Sequence, residues 1–395
     1  MASLDVDYIE VLSRLIEIDT SGADGKGCRE AMALLVPRLG VAGLEPVRIE
    51  IPPEFADGRE GRLALVCHRR QQGKDRLLIY THIDVVPAEG WEAFKARRAD
   101  GRVFGRGAAD MKGAVAALLE ALWRVRGLPL AYDLSVLVTM DEETNQCSQL
   151  EYLTPTLDPG PSPHVLSMDA GFGYVSIANL GLLQLDVAVR GKSVHSGLAH
   201  LGRNAVEDAG RLIGALLSLQ QTVVQRRSEL RTHPDTGLDV MEPRLNVNHV
   251  EGGLARNVVP DSCVFTVDRR LLPSESVDEA RAEIFRALRS VPSVEWSIQR
   301  EFSIPPVPPC DDPEADVLAR ILGDVTGSSG LYGEMISGDL PAVATRLWGG
   351  KVFGLGVIRP QSHIHGIDEY VVESDMEQLV EVLVRFLTRT QKEAA

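Results

Sequence analysis

No C-x-x-C pair occurs among the five cysteines (Cys28, Cys67, Cys147, Cys263 and Cys310), which are odd in number and widely scattered. This usage argues against a disulfide framework and a thiolate zinc site, and it fits a reducing cytoplasm. There is no apolar run long enough to span a bilayer. The opening residues MASLDVDYIEVLSRLIEI carry acid where a signal peptide carries base, and they have amphipathic helix spacing. Basic residues are the minority, 41 Lys and Arg against 56 Asp and Glu, for a formal net charge of −15. A phosphate-backbone binder would need a basic face, so neither a nucleic acid nor a membrane is expected as partner. The helical zinc motif HExxH is missing as well.

What is present, over 395 residues, is enough chain for two domains. RLALVCH, DRLLIYTHI and YDLSVLVTM are short apolar, β-branched runs, and the Ala/Leu-rich MKGAVAALLEALWRV lies between the last two. Strand, helix, strand with nearly wholly apolar strands implies a mainly parallel sheet buried on both faces. Reactive residues in such sheets gather beyond the carboxyl ends of the strands. After Asn179 the pattern changes: GLLQLDVAVRG alternates as a half-exposed strand should, followed by a helix, two strands and a second helix. The expectation is therefore an α/β protein. A mainly parallel-sheet catalytic domain covers residues 1–178 and 296–395, and an α+β unit is inserted at about 179–295.

Polar residues cluster where these strands end. After DRLLIY comes THIDVVPAEGW, in which His82 and Asp84 are two apart and project to the same side of an extended chain. A carboxylate placed this way can fix an imidazole by its second nitrogen. GRGAADMKG puts Asp110 at a helix entry, DEET offers Asp141, Glu142 and Glu143, Asp169 follows HVLSM, and SHIHGIDEY brings His363 and His365. Five loops thus supply an oxygen and nitrogen ligand set of the kind needed by two divalent ions about 3.5–4 Å apart that share a bridging carboxylate. Zinc accepts such ligands, keeps a position for water and makes that water nucleophilic near neutral pH. An unligated carboxylate beside it can take the water proton and pass it to a leaving amine. Neighbouring residues in DEE point different ways, so one Glu can bind metal while the other faces the water. Each piece has a plainer alternative: Asp110 as a helix N-cap, DEE as a solvated charge run, a lone His as a hydrogen-bonded structural residue. Five coincidences at strand ends weigh against that.

Taken together, THIDVVPAEGW, GRGAADMKG, MDEET, GLLQLDVAVRGKSVHSG, ARNVVPDSC and HIHGIDEYV resemble the co-catalytic metallo-amidohydrolase family. That family includes acetylornithine deacetylase, succinyl-diaminopimelate desuccinylase, aminoacylase, carboxypeptidase G and carnosinase-type dipeptidases. The resemblance runs from residue 81 to residue 370. It implies a zinc-exopeptidase-like catalytic domain with a ferredoxin-like lid and dimerisation domain. It implies two divalent ions, zinc first with cobalt or manganese as alternatives: His82 and Asp169 as terminal ligands of one, Glu143 and His365 of the other, Asp110 as bridge. Asp84 would orient His82, Glu142 would be the general base acting on metal-bound water, and the Asp110–Met111 peptide would be cis. His195 would help hold the scissile carbonyl oxygen, often from the partner subunit of a homodimer, and Asn257 and Arg270 match lid positions that bind substrate carboxylate or carbonyl.

Two departures stand out. SHIHGIDE carries two histidines where the family usually has one, and spacing favours His365. MDAG stands where deacylases usually have Glu-Pro, and Asp at position 169 is associated with peptide-cleaving members. The whole-chain likeness to the acetylornithine deacetylase and desuccinylase branch outweighs that single carboxylate. The expectation is an enzyme cleaving an amide bond next to a carboxylate, an N-acyl amino acid deacylase before a dipeptidase or carboxypeptidase. A non-catalytic binding protein is the remote alternative.

Overall fold

The computed structural model describes residues 7–144, 147–157, 163–349 and 351–390. Its centre is an eight-stranded sheet in the order Glu45–Ile51, Arg62–Arg69, Asp133–Thr139, Arg76–His82, His164–Ser167, Lys351–Gly354, Val175–Asn179, Leu331–Glu334. The four strands from Asp133–Thr139 to Lys351–Gly354 run parallel, and at one edge Glu45–Ile51 and Arg62–Arg69 form an antiparallel pair. Both faces are covered, as the apolar runs require. Along Arg76–His82, Leu77 and Ile79 pack with Leu12, Leu118 and Leu122, whereas Leu78 and Tyr80 pack with Leu150, Leu153 and Val343. Period-two alternation thus sends successive side chains into different helical layers. The Ala/Leu-rich segment is the helix Gly113–Arg124, whose small residues Ala114, Ala116, Ala117 and Ala121 are all buried.

The second unit is a four-stranded antiparallel sheet in the order Arg244–Gly252, Ser262–Leu271, Gly181–Arg190, Glu295–Ile304. Leu183, Leu185, Val187 and Val189 turn one face of Gly181–Arg190 toward the helices Ala205–Val223 and Val277–Arg289, where Leu212, Leu216, Ile284 and Leu288 meet them. With strand, helix, two strands, helix and strand in this order, the unit is ferredoxin-like.

One expectation changes here. Glu295–Ile304 pairs with Gly181–Arg190 along most of its length, with a register shift between Ile298 and Arg300. The insert's sheet therefore continues to residue 304, and a boundary at 295 would cut off its fourth strand. The cause is physical: the first strand of the insert is central, so its free edge needs a partner, and this strand supplies it.

Candidate metal centre

The parallel strands place their carboxyl ends on one edge, and that edge collects the reactive groups. His82 is the last residue of Arg76–His82, Glu142 and Glu143 begin a short turn after Asp133–Thr139, and Asp169 lies two residues beyond His164–Ser167. Asp110 enters from Ala108–Lys112, just ahead of the helix Gly113–Arg124, and its peptide bond to Met111 is cis. Gly107 makes this approach possible: its φ is +83°, and a Cβ there would lie 2.6 Å from Val85 Cγ1.

Two three-residue groups result, each offering ligand atoms that all lie within 4.8 Å of one another: His82, Glu142 and Asp169; and Asp110, Glu143 and His365. Asp110 links them, because its Oδ1 is 3.3 Å from His82 Nε2 and its Oδ2 is 3.3 Å from His365 Nε2. His365 Nε2 is also 3.2 Å from Glu143 Oε2. On the far side of the His82 ring, Nδ1 lies 3.2 Å from the Asp84 carbonyl oxygen and 3.4 Å from Asp84 Oδ1. His363 has a different setting, its ring edge-on to Tyr370 at 5.9 Å, so of the two neighbouring histidines His365 joins the cluster.

The electrostatics are those of a cation site. Burial, followed by the charge of Asp169, pushes the Glu142 carboxyl well above its ordinary range. Burial and Asp110 raise Asp169 to about 7, and burial also raises Glu143. In Asp110 the upward push of burial is outweighed by a hydrogen bond from His365 and by the facing His82 imidazole, which hold its carboxyl far down. His365 is lifted to about 10 by those same bonds to Asp110 and Glu143. For His82, burial works downward, but Asp110 and Asp84 prevail and raise it. Four carboxylates in one cleft repel each other, and the two imidazoles offset them in part. His82 Nε2 is fully buried without a hydrogen-bond partner, which is costly unless something else engages it. An acceptor-rich set around an orphaned imidazole nitrogen fits divalent cations well.

The third acidic residue of this turn does other work. Asp141 Oδ2 accepts from Arg62 Nε at 2.9 Å and Gln149 Nε2 at 2.6 Å, which anchors the turn bearing Glu142 and Glu143. Two residues not singled out in the sequence belong to the site's support. Glu369 Oε1 accepts the backbone N–H groups of Ala109 (3.0 Å) and Asp110 (3.1 Å), and Arg106 Nη1 donates to its Oε2 at 2.7 Å. Their signal was present in GRGAADMKG and HGIDEY, but nothing local says that the two meet.

The remaining expected residues lie on the insert. His195 is exposed, with Nδ1 accepting the Gly197 N–H at 3.1 Å; Asn257 is exposed and its carbonyl accepts from Ser196. Arg270 pairs with Asp268 at 2.9 Å and reaches Ser337 Oγ of the first unit at 3.4 Å. None of the three belongs to either candidate metal group among the described residues.

A mainly parallel sheet with a cation-ready cluster at its carboxyl edge and a ferredoxin-like insert defines a class of metal-dependent hydrolases. Residues 78–389 match the model of Peptidase family M20/M25/M40, and the chain belongs to that family. An acetylornithine deacetylase of Myxococcus xanthus is 30% identical over 324 residues, covering 79% of this chain and 80% of the relative. Among solved structures, human carnosine dipeptidase 1 superposes with a TM-score of 0.79 at 16% identity, over 98% of this chain and 96% of that one. A dinuclear metal-binding M20 peptidase of Bacillus subtilis does so with a TM-score of 0.62 at 12% identity, over 96% and 97%. The likeness to the two structures is one of fold. Among the described residues no helix is long and apolar enough to cross a membrane.

Proposed function

We propose that the chain is a two-metal amidohydrolase that removes an acyl group, acetyl or succinyl, from the nitrogen of an amino acid. The observation that carries the reading is Asp110, whose two carboxylate oxygens each face a different histidine, His82 and His365, at 3.3 Å. In this reading His82 and Asp169 hold one ion, Glu143 and His365 the other, and Asp110 both. Zinc suits the mixed imidazole and carboxylate donors, with cobalt or manganese as alternatives. Two such ions would supply Lewis acidity to the scissile carbonyl and acidify the attacking water.

The chain's own residues do the rest. Glu142, next in sequence to Glu143 and grouped with His82 and Asp169, receives the water proton and delivers it to the departing amine nitrogen. Asp84 holds the His82 ring in place. Because His195 Nδ1 accepts a hydrogen bond, its proton sits on Nε2, the donor suited to a carbonyl oxygen that gains charge. Arg270 and Asn257 offer a guanidinium and an amide to the substrate carboxylate.

A homodimer built on the insert would bring His195 from one chain to the other's site. Leu198, Leu201, Val250 and Leu254 are exposed on the insert, Leu254 to 95%, which supports a covered face there. Five free cysteines support a reducing, cytoplasmic setting.

The deacylase reading is favoured by the acetylornithine deacetylase relative, which shares more sequence than the dipeptidase neighbour. Asp169 favours the dipeptidase reading. A panel of N-acetyl and N-succinyl amino acids and unblocked dipeptides, assayed with added zinc, cobalt or manganese, separates the two. Turnover of acylated amino acids is expected, and efficient cleavage of dipeptides alone would reverse the order.

A further inference from the structure

Arg106 and Glu369 are buried to 2% and 1% relative exposure, 263 residues apart in sequence, and form one clamp. Glu369 receives three donors: the Ala109 and Asp110 N–H groups on Oε1, and Arg106 Nη1 on Oε2. The other arm of the guanidinium, Nη2, donates to the carbonyl of Gly366 at 3.1 Å. Gly366 directly follows His365. One end of the clamp therefore grips the backbone of Asp110 and the other grips the backbone next to His365. The Gly105 N–H also donates to the Glu369 carbonyl at 2.9 Å, tying the two loops a second time. His365 needs such support: its side chain is 50% exposed, and its φ of +61° is unusual for a residue with a Cβ. His82, in contrast, is fixed within its own strand and by Asp84, with no part in the clamp.

We infer that Arg106 and Glu369 are a positioning pair: they set the spacing of Asp110 and His365, and so tune the Asp110/Glu143/His365 ion, which depends on both, more strongly than the His82/Asp169 ion, which shares only Asp110. The inference rests on the two-metal reading above. Outer partners of this kind are worth about 10–100-fold in metal affinity. The guanidinium reaches Glu369 with Nη1 and the Gly366 carbonyl with Nη2, a fixed two-pronged geometry that the single nitrogen of a lysine at 106 does not reproduce.

The test is zinc binding by metal-free protein, followed by competition with a chelator, for wild type, Glu369→Gln and Arg106→Lys. Wild type is expected to bind two ions. Each variant is expected to lose about 10–100-fold in one affinity and much less in the other, with turnover recovered at high zinc. Circular dichroism of the metal-free proteins identifies any variant that fails to fold, and the other variant then carries the test. A purely structural role would lower both affinities equally; that result, or no change in either, overturns the inference. Failure of wild type to bind two ions would instead count against the two-metal reading itself.

Discussion

Asp84 accepts the backbone N–H of Glu143 on Oδ2 at 3.0 Å, while its Oδ1 lies 3.4 Å from His82 Nδ1. One carboxylate thus joins two neighbouring strand ends, the one bearing His82 and the one bearing Glu142 and Glu143. It explains how ligands assigned to different ions keep a common frame. Asp84→Asn preserves shape but removes the charge that favours a ring oriented toward the cleft. Metal affinity should fall about 10–100-fold, with the fold intact, as read by metal titration and circular dichroism. Unchanged affinity would make Asp84 a backbone anchor only.

Glu142→Gln should retain both ions and lose ~10²–10⁴-fold in turnover, the range usual for a general acid–base group. The check is kcat measured beside metal content. Full activity in this variant would move the proton path elsewhere.

Asp110→Ala should cost more than the loss of His82 or His365, because both imidazoles face Asp110. Elemental analysis is expected to find both ions weakened in Asp110→Ala but mainly one in His365→Ala. Equal retention of one ion in both variants would argue that Asp110 does not bridge.

A pH-dependent element lies away from the cleft. His164 Nδ1 donates to the buried Asp312 Oδ2 at 2.6 Å. Burial alone would lower the His164 value, but this bond outweighs it and the net shift is upward. A histidine raised in the folded state contributes stability that is complete below its ordinary value near 6.5 and is lost as pH rises through the folded-state value. His164→Gln should therefore destabilise most at acid pH, by about 1–3 kcal/mol, with the deficit shrinking as pH rises through the raised His164 value. Denaturant unfolding at several pH values reads this directly, and a constant deficit would contradict it.

That His82, Glu142, Glu143 and Asp169 gather on one edge was legible because parallel strands are apolar runs, and a polar residue at the end of such a run has a stated place in the fold; Asp110, at a helix entry, and His365, in a turn, were read from their motifs. Glu369 and Arg106 were not, since their meaning lies in a contact across 263 residues of chain that no local pattern encodes. The preference for His365 over His363 rested on motif spacing: one residue separates them, and the turn sends His365 to Asp110 and His363 to Tyr370. Glu295–Ile304 was misplaced because a half-exposed edge strand carries little apolar signal, and its membership comes from pairing with Gly181–Arg190.

If the insert pairs two copies, His195→Ala and Glu142→Gln, each nearly inactive, should partly restore activity when mixed and refolded together. Hybrid dimers would hold one site with both residues intact. Sedimentation of the wild type checks the assembly, and a fully active monomer would rule out the shared site.

The most direct test of the whole account is to titrate metal-free protein with zinc while following hydrolysis of an N-acetyl amino acid and counting bound metal. The account predicts no turnover without metal, and full turnover as occupancy approaches two ions per chain. Undiminished hydrolysis by the metal-free protein, or a chain that binds no divalent ion, would contradict it.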